Sequence, residues 1–358
     1  MSGEIEEFLD REAPIINAAI EKYIPRKFRK NSTVFALSSP QYEHDLTALD
    51  KAIAEPIWEF LDRGGKRWRP ALFLLICEAL GKNPKDFLDL ATIPEVIHNG
   101  TLMVDDIEDS SKLRRGRQCT YLLFGEDIAI NAGNAMYFLP LLAVIKNKNR
   151  LTTERMNRLY EIYVEEMVNI SLGQAMDIAW HSGKADTSKI TEQNYLQMCA
   201  YKTGTLARMA ARMAAVIAGA NEDLIEKLGR FAEAIGIAFQ IQDDILDLTG
   251  VEFGKKKGAI GMDISEGKRT LMVIRTLKKA SAKDRKRLIE ILDTHTDKQE
   301  LRDEAIQIMK KYDSITYSSQ VARELFKKSW SKADKLIAPS NAKEKLRAFA
   351  TYLIERKI

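Results

Sequence analysis

Val96-Ile97-His98-Asn99-Gly100-Thr101-Leu102-Met103-Val104-Asp105-Asp106-Ile107-Glu108-Asp109 is an apolar helical stretch that runs into carboxylates spaced Asp-Asp-x-x-Asp. Ile235–Ile241 leads in the same way to Asp243-Asp244-Ile245-Leu246-Asp247. Positions i and i+4 share one face of a helix, so the outer carboxylates of each set point the same way. Such like-charge pairs cost roughly 0.2–0.5 kcal/mol each. A helix C-terminus adds an unfavourable dipole for anions. With each charged residue type at about 6% of positions, one such triplet arises by chance in roughly one chain of this length in ten. A solvated helix end therefore explains a single cluster as well as a ligand site does. Two copies with matching apolar lead-ins point instead to cations that offset the repulsion. Clustered carboxylates are oxygen donors suited to Mg2+, which proteins hold with a few carboxylates plus substrate phosphates.

The 358 residues allow one large domain or two ordinary ones. At 45% hydrophobic and 30% charged, the chain buries a sizeable core and is not a disordered polymer. Its 55 basic and 51 acidic residues leave a net charge of +4, so nothing demands nucleic acid as a partner. Cys77, Cys119 and Cys199 are widely spaced, odd in number and free of Cys-x-x-Cys, which predicts reduced thiols, a cytoplasmic protein and no structural zinc. The acidic start Met1–Glu7 lacks the basic and apolar regions of a signal peptide, and the last residues show no lipidation signal. Ile128–Ile145 is the most membrane-like stretch. Asn131, Gly133, Asn134 and Pro140 interrupt it, which predicts a buried core helix and no transmembrane segment.

Helical periodicity dominates elsewhere too. Leu159, Ile162, Tyr163, Met167 and Ile170 recur at three- and four-residue steps, as do Leu224, Leu228, Phe231 and Ile235. Turn-rich boundaries leave segments long enough for helices of roughly 15–30 residues. Asp223 and Ser281 are helix caps by residue type, and Thr152-Thr153-Glu154-Arg155 opens another helix. No linker divides the chain. The expectation is one all-α domain, 1–358: a bundle of long helices around a central apolar cavity, with functional groups projecting inward. The motif-bearing part is about 57–275, and 276–358 is a helical tail.

Basic residues accompany both acidic motifs: Arg114-Arg115-Gly116-Arg117 after the first, Lys255-Lys256-Lys257 and Gly267-Lys268-Arg269 after the second. Upstream stands Gly64-Gly65-Lys66-Arg67-Trp68-Arg69-Pro70. Any one basic run is more often plain surface charge. Beside carboxylate clusters, they suit a diphosphate bridged by Mg2+ and gripped by Lys and Arg.

At these residues the chain resembles the trans-isoprenyl diphosphate synthases, the head-to-tail prenyltransferases, from about Ile57 to Arg275. The resemblance lies in Gly65-Lys66-x-x-Arg69, Asp105–Asp109 with Arg114-Arg115-Gly116, and Gly-Gln174-x-x-Asp177. It continues in Tyr201-Lys202-Thr203-Gly204, Phe239-Gln240-x-x-Asp243-Asp244-x-x-Asp247, and Gly254-Lys255 with Asp263 and Gly267-Lys268. It implies Mg2+-dependent condensation of isopentenyl diphosphate with an allylic diphosphate (dimethylallyl, geranyl or farnesyl) by a cytoplasmic homodimer. Asp105, Asp109 and Asp243 then bind three Mg2+ per active site, supported by Asp106, Asp244 and Asp247. Arg114, Lys202, Thr203, Gln240, Lys255 and Lys268 hold the allylic diphosphate. Lys66, Arg69, His98 and Arg115 form a metal-free pocket for isopentenyl diphosphate, while Gln174 and Asp177 line the reaction site.

Three points stay open in the sequence. His98 lies two turns before Asp105 on the same face, which suits a diphosphate, but a lone His in an apolar helix is also an ordinary core residue. The Lys255–Asp263 stretch exceeds the simplest family spacing, so which lysine meets phosphate is not decided. The small residues Gly100 and Thr101 before the first motif imply room for a tail of twenty carbons or more, geranylgeranyl first, with Ile97 or Phe138 as the floor. Gly100 equally suits close helix packing. Two other readings are a class I terpene cyclase, which needs no Lys66/Arg69 pocket, and a non-catalytic subunit of a heteromeric synthase, which loses motif residues that are intact here.

Overall fold

Helices run through the whole structure, a computed structural model that describes residues 2–29, 41–250 and 258–355. The one sheet among the described residues is a hairpin, Leu113–Arg114 paired antiparallel with Arg117–Gln118. The all-α expectation holds. The residues group into two compact units that interleave along the chain. The first comprises 1–161, 213–221 and 340–346, and the second 162–212, 222–339 and 347–358.

In the first unit, helix Ser2–Glu21 and the residues after it bury Ile16, Ile20 and Ile24 against Ile57, Trp58, Phe60 and Leu61 of Glu55–Asp62. Helix Ile93–Glu108, which holds the first aspartate motif, adds Val96 and Met103, and helix Glu126–Phe138 adds Ala132 and Met136. These two helices cross at a pair of glycines. A Cβ on Gly100 would stand 2.8 Å from the Gly133 carbonyl oxygen, and one on Gly133 2.8 Å from Val104. Gly100 therefore serves close helix packing at this crossing.

The apolar stretch Ile128–Ile145 is not one buried helix. Pro140 places a 3-10 turn, Leu139–Leu141, between Glu126–Phe138 and Leu142–Lys146. By length and composition 126–146 could cross a membrane, yet it packs on Ile93–Glu108 along one face. Only 39% of its most apolar window is buried. Phe138 is 66% exposed, which removes it as an interior floor within this chain.

In the second unit, helix Glu222–Thr249 bears the second aspartate motif and lies along Ser314–Ala333, with Phe231 tilted against Trp330 at 5.6 Å. The core joins Ile241, Ile245 and Leu248 to Met272, Val273, Leu288 and Leu292. Ser281 caps its helix by accepting from the Asp284 N–H at 3.2 Å. Asp223 lies inside the first turn of Glu222–Thr249 and is not the cap, since the helix begins two residues earlier than its type suggests.

A π-helical turn, Ala200–Gly204, separates helices Glu192–Cys199 and Thr205–Ala218. Such turns re-aim side chains at functional sites. Two glycines allow its close packing: a Cβ on Gly173 would lie 2.4 Å from the Lys202 nitrogen, and one on Gly236 2.6 Å from Gly204 Cα. Lys202 and Thr203 are placed by this clamp. Overpacking typically costs about 1–3 kcal/mol. Gly100→Ala and Gly173→Ala should each lower unfolding stability by that amount in denaturant titrations, and unchanged midpoints would contradict both crossings.

Candidate active site

The first motif ends its helix at Asp109, and the chain reverses through Ser110 at φ 53° into the hairpin. Arg115 at φ 55° and Gly116 at φ 76° are its two turn residues, the left-handed pair of a type I′ turn. This turn carries Arg114 back to the helix end. Its Nε donates to Asp106 Oδ1 at 2.7 Å, and its Nη2 lies 3.7 Å from Asp105 Oδ2. Asp106 is fully buried, and its Oδ2 has no hydrogen-bond partner. Burial pushes its pKa up, and the Arg114 charge opposes that rise. Burial and the nearby charges of Glu108 and Asp105 keep the Tyr137 phenol protonated beside the motif.

Among the described residues, no three His, Cys, Asp or Glu side chains converge on a ready-made metal cage. Mg2+ retains waters and takes phosphate oxygens, so one or two carboxylates suffice for it. The buried, unpartnered Asp106 oxygen and the half-buried Asp105 and Asp109 fit such a partial donor set.

On the same helix, seven residues before Asp105, His98 stands in a field of guanidinium groups. Burial and then Arg69, Arg115, Arg114 and Arg67 hold its pKa well below the usual imidazole range, so the ring is neutral near pH 7. Arg69 is buried against the Trp68 ring, 4.4 Å from its centroid, and its Nε has no partner. Arg115 lies 5.1 Å from the Phe60 centroid, and its buried Nη1 is likewise unpartnered. Burial pulls both guanidinium pKa values down to about 10. Gly65 lets the backbone close on this group: a Cβ there would stand 3.2 Å from Arg67 and 3.3 Å from Arg115. Lys66 sits outside it, exposed, 3.9 Å from Glu6. Donors buried without acceptors cost free energy that an incoming anion recovers. Arg69, His98 and Arg115 thus come together as a group of buried donors suited to an anion, with Lys66 as its outer neighbour.

In the second unit a hydrogen-bonded chain links the π turn to the second motif. Thr203 Oγ1 donates to Gln240 Oε1 at 2.7 Å, and Gln240 Nε2 donates to Asp244 Oδ1 at 2.8 Å. The buried Tyr195 hydroxyl donates to Asp244 Oδ2 at 2.7 Å. Burial, with the Asp263 charge next, pushes the Asp244 pKa up. Asp247 is fully buried and accepts the Asp263 N–H at 3.0 Å, while Asp243 is only half-buried. Lys202 Nζ meets Asp177 Oδ2 at 2.6 Å, one helical turn from Gln174. Lys268 lies against Glu266, 3.8 Å from Asp263. Lys255 and its neighbours Lys256 and Lys257 lie outside the described residues.

Several participants escaped the sequence reading. Arg67 is buried and extends to Glu95 Oε1 at 3.1 Å, Asn17 Oδ1 at 3.0 Å and the Leu61 carbonyl at 2.8 Å. Tyr195, seven residues before Lys202, had one available signal, its place on the same helical face. Ile97 is fully buried, and Thr101 is half-buried with its hydroxyl on the His98 carbonyl at 2.8 Å.

Residues 50–309 match the family model described as polyprenyl synthetase. A short chain isoprenyl diphosphate synthase from Methanothermobacter thermautotrophicus is 36% identical over 82% of this chain and 87% of the relative. A geranylgeranyl diphosphate synthase from Saccharolobus solfataricus is 31% identical over 86% of this chain and 91% of its own length. The crystal structure of geranylgeranyl pyrophosphate synthetase from Pyrococcus horikoshii superposes with a TM-score of 0.84 at 30% identity, covering 99% of each chain. The isoprenoid synthase fold and the ordered motifs agree, and the chain belongs to the polyprenyl synthetase family, the trans-isoprenyl diphosphate synthases.

Proposed function

We propose that this chain is a Mg2+-dependent trans-prenyltransferase that joins isopentenyl diphosphate to an allylic diphosphate and makes geranylgeranyl diphosphate. The observation that carries this reading lies on one helix. Ile93–Glu108 presents His98 to a cluster of arginines with open N–H groups and, two turns on, ends in carboxylates suited to a cation. One diphosphate bound by arginine and another bound through metal is what a two-diphosphate condensation needs. A terpene cyclase has no use for the arginine pocket, and a non-catalytic subunit has no use for two intact motifs. The geranylgeranyl diphosphate synthases among the relatives support the twenty-carbon product.

Arg69 and Arg115 hold the isopentenyl diphosphate with Lys66, and neutral His98 offers an N–H without adding charge to the cluster. Lys202, Thr203 and Gln240 offer the second unit's hydrogen bonds to the allylic diphosphate, and the family resemblance assigns Arg114 and the lysines after the second motif to the same group. Asp244 and Asp247, fixed by Tyr195, Gln240 and the Asp263 N–H, position the end of their helix so that Asp243 is available to the cation. Asp105, Asp109 and Asp243 would offer oxygens to Mg2+, three ions by the family resemblance, which would supply positive charge to the diphosphate leaving group. The double bond of isopentenyl diphosphate forms the new carbon–carbon bond, and its departing proton goes to the released diphosphate.

The proposal includes a homodimer, supported by exposed apolar side chains in each unit: Leu122, Leu123, Ile130 and Phe138 in the first, and Val164, Val168 and Leu172 at four-residue spacing in the second. Three free, buried cysteines support a cytoplasmic setting. With Gly100 committed to packing, Thr101 is the position left to gauge the tail, above Ile97.

Asp105→Ala and Asp243→Ala should each slow condensation by several orders of magnitude while the circular dichroism stays helical, and EDTA should abolish turnover. Near-native rates in either variant, or activity in EDTA, would sink the reading. Thr101→Phe should shorten the product seen by chromatography, and an unchanged product would show that Thr101 does not line the tail. Light scattering should give about twice the 40.6 kDa chain mass, and a monomer mass would refute the dimer.

A further inference from the structure

We propose that Glu95 and Asn99 are positioning residues that aim Arg115 into the anion pocket; this rests on reading that pocket as the isopentenyl diphosphate site. Both sit on helix Ile93–Glu108 one turn apart and share a face. Glu95 is 3% exposed and Asn99 fully buried, so each polar atom must be accounted for. Asn99 Nδ2 donates to the Glu95 carbonyl at 2.8 Å and to Glu95 Oε1 at 3.0 Å. Its Oδ1 accepts from Arg115 Nη2 at 3.0 Å. The amide cannot sit the other way round, because a carboxylate only accepts and a guanidinium only donates. Asn99 therefore converts the acceptor Glu95 into an acceptor presented to Arg115.

The other end of this relay is anchored. Glu95 Oε1 also accepts from Arg67 Nη1 at 3.1 Å. Arg67 is in turn tied to Asn17 of the first helix and to the Leu61 carbonyl. Arg115 needs the hold. Its φ of 55° is a left-handed conformation that disfavours a side chain bearing Cβ, and burial disfavours its charge. Direct pairing with a carboxylate would secure it, but would occupy the donors an anion requires. Contact through the neutral Asn99 amide takes up Nη2 alone and leaves the buried Nη1 without a partner. Glu95 meanwhile sets one negative charge against the surrounding guanidinium groups, from which Arg115 gains through space.

The test is steady-state kinetics on the full chain with Asn99→Ala, Glu95→Gln, Arg115→Ala and the Asn99→Ala/Arg115→Ala double variant, each with its melting temperature. Asn99→Ala should raise the KM for isopentenyl diphosphate roughly ten- to a hundredfold, the size of one lost hydrogen bond to a charged group. The allylic KM should stay within about twofold. In the Arg115→Ala background the same change should add less than about twofold, because residues acting as one unit are not additive. Glu95→Gln, which keeps the amide contacts and removes the charge, should raise the same KM by less than Asn99→Ala and keeps the test alive if Asn99→Ala does not fold. A lower melting temperature with unchanged KM, or effects that multiply in the double variant, would overturn the positioning role. An Arg115→Ala enzyme with an unaltered KM for isopentenyl diphosphate would overturn the pocket assignment instead, and the relay with it.

Discussion

A guanidinium taken out of water loses several kcal/mol of solvation unless an opposite charge or a full set of acceptors replaces it. In the first unit Arg67 and Arg69 are buried and Arg115 is partly so, all within the field felt by His98. Inside this group Glu95 is the buried counter-charge, and its bonds run to Arg67 and, through Asn99, to Arg115. The protein thus compensates its cations in part. Open donors remain at Arg69 Nε and Arg115 Nη1. The core of Ile16, Ile57, Phe60, Val96 and Met103 fixes helix Ile93–Glu108, which carries the compensating Glu95 with His98 and Asn99. It also leaves His98 neutral, so the pocket gains a donor without gaining more repulsion.

The second unit handles carboxylates by the opposite rule. Asp244 and Asp247 are buried with donors supplied by the protein: Tyr195, Gln240 and the Asp263 N–H. That satisfied pair holds the last turns of Glu222–Thr249 in place, and Asp243 is left half-buried. The π turn supplies Thr203 to the same chain of bonds and points Lys202 at Asp177. Gly173 and Gly236 make this possible, since any side chain at either position would meet backbone atoms of the turn.

Local patterns were legible in the sequence where the chemistry is local. The two Asp-Asp-x-x-Asp sets and the basic run Arg114-Arg115-Gly116 are read from neighbours in the chain, whereas Lys202-Thr203 stood out through the family resemblance alone. What joins distant segments was not legible. Asn17, Leu61 and Glu95 meet only around Arg67, and Tyr195 meets Asp244 across 49 positions. Asn99 gave no signal, because a polar residue in an apolar helix reads as a surface position until its burial is known. Gly100 had two meanings in the sequence, and only the crossing with Gly133 selects packing. Periodicity foretold helix over Ile128–Ile145, but not that Phe138 lies outward, because it shows that a stripe is apolar without showing what covers it.

Two diphosphates held by different cations, one by arginine and one through metal, are the central division of the proposed function. Titration calorimetry of the wild-type chain reads this directly, with isopentenyl diphosphate and an unreactive allylic thiolodiphosphate each titrated in EDTA and in Mg2+. Isopentenyl diphosphate should bind with similar affinity in both, and the allylic analogue should bind only in Mg2+. Loss of isopentenyl diphosphate binding in EDTA, or allylic binding indifferent to Mg2+, would contradict the division.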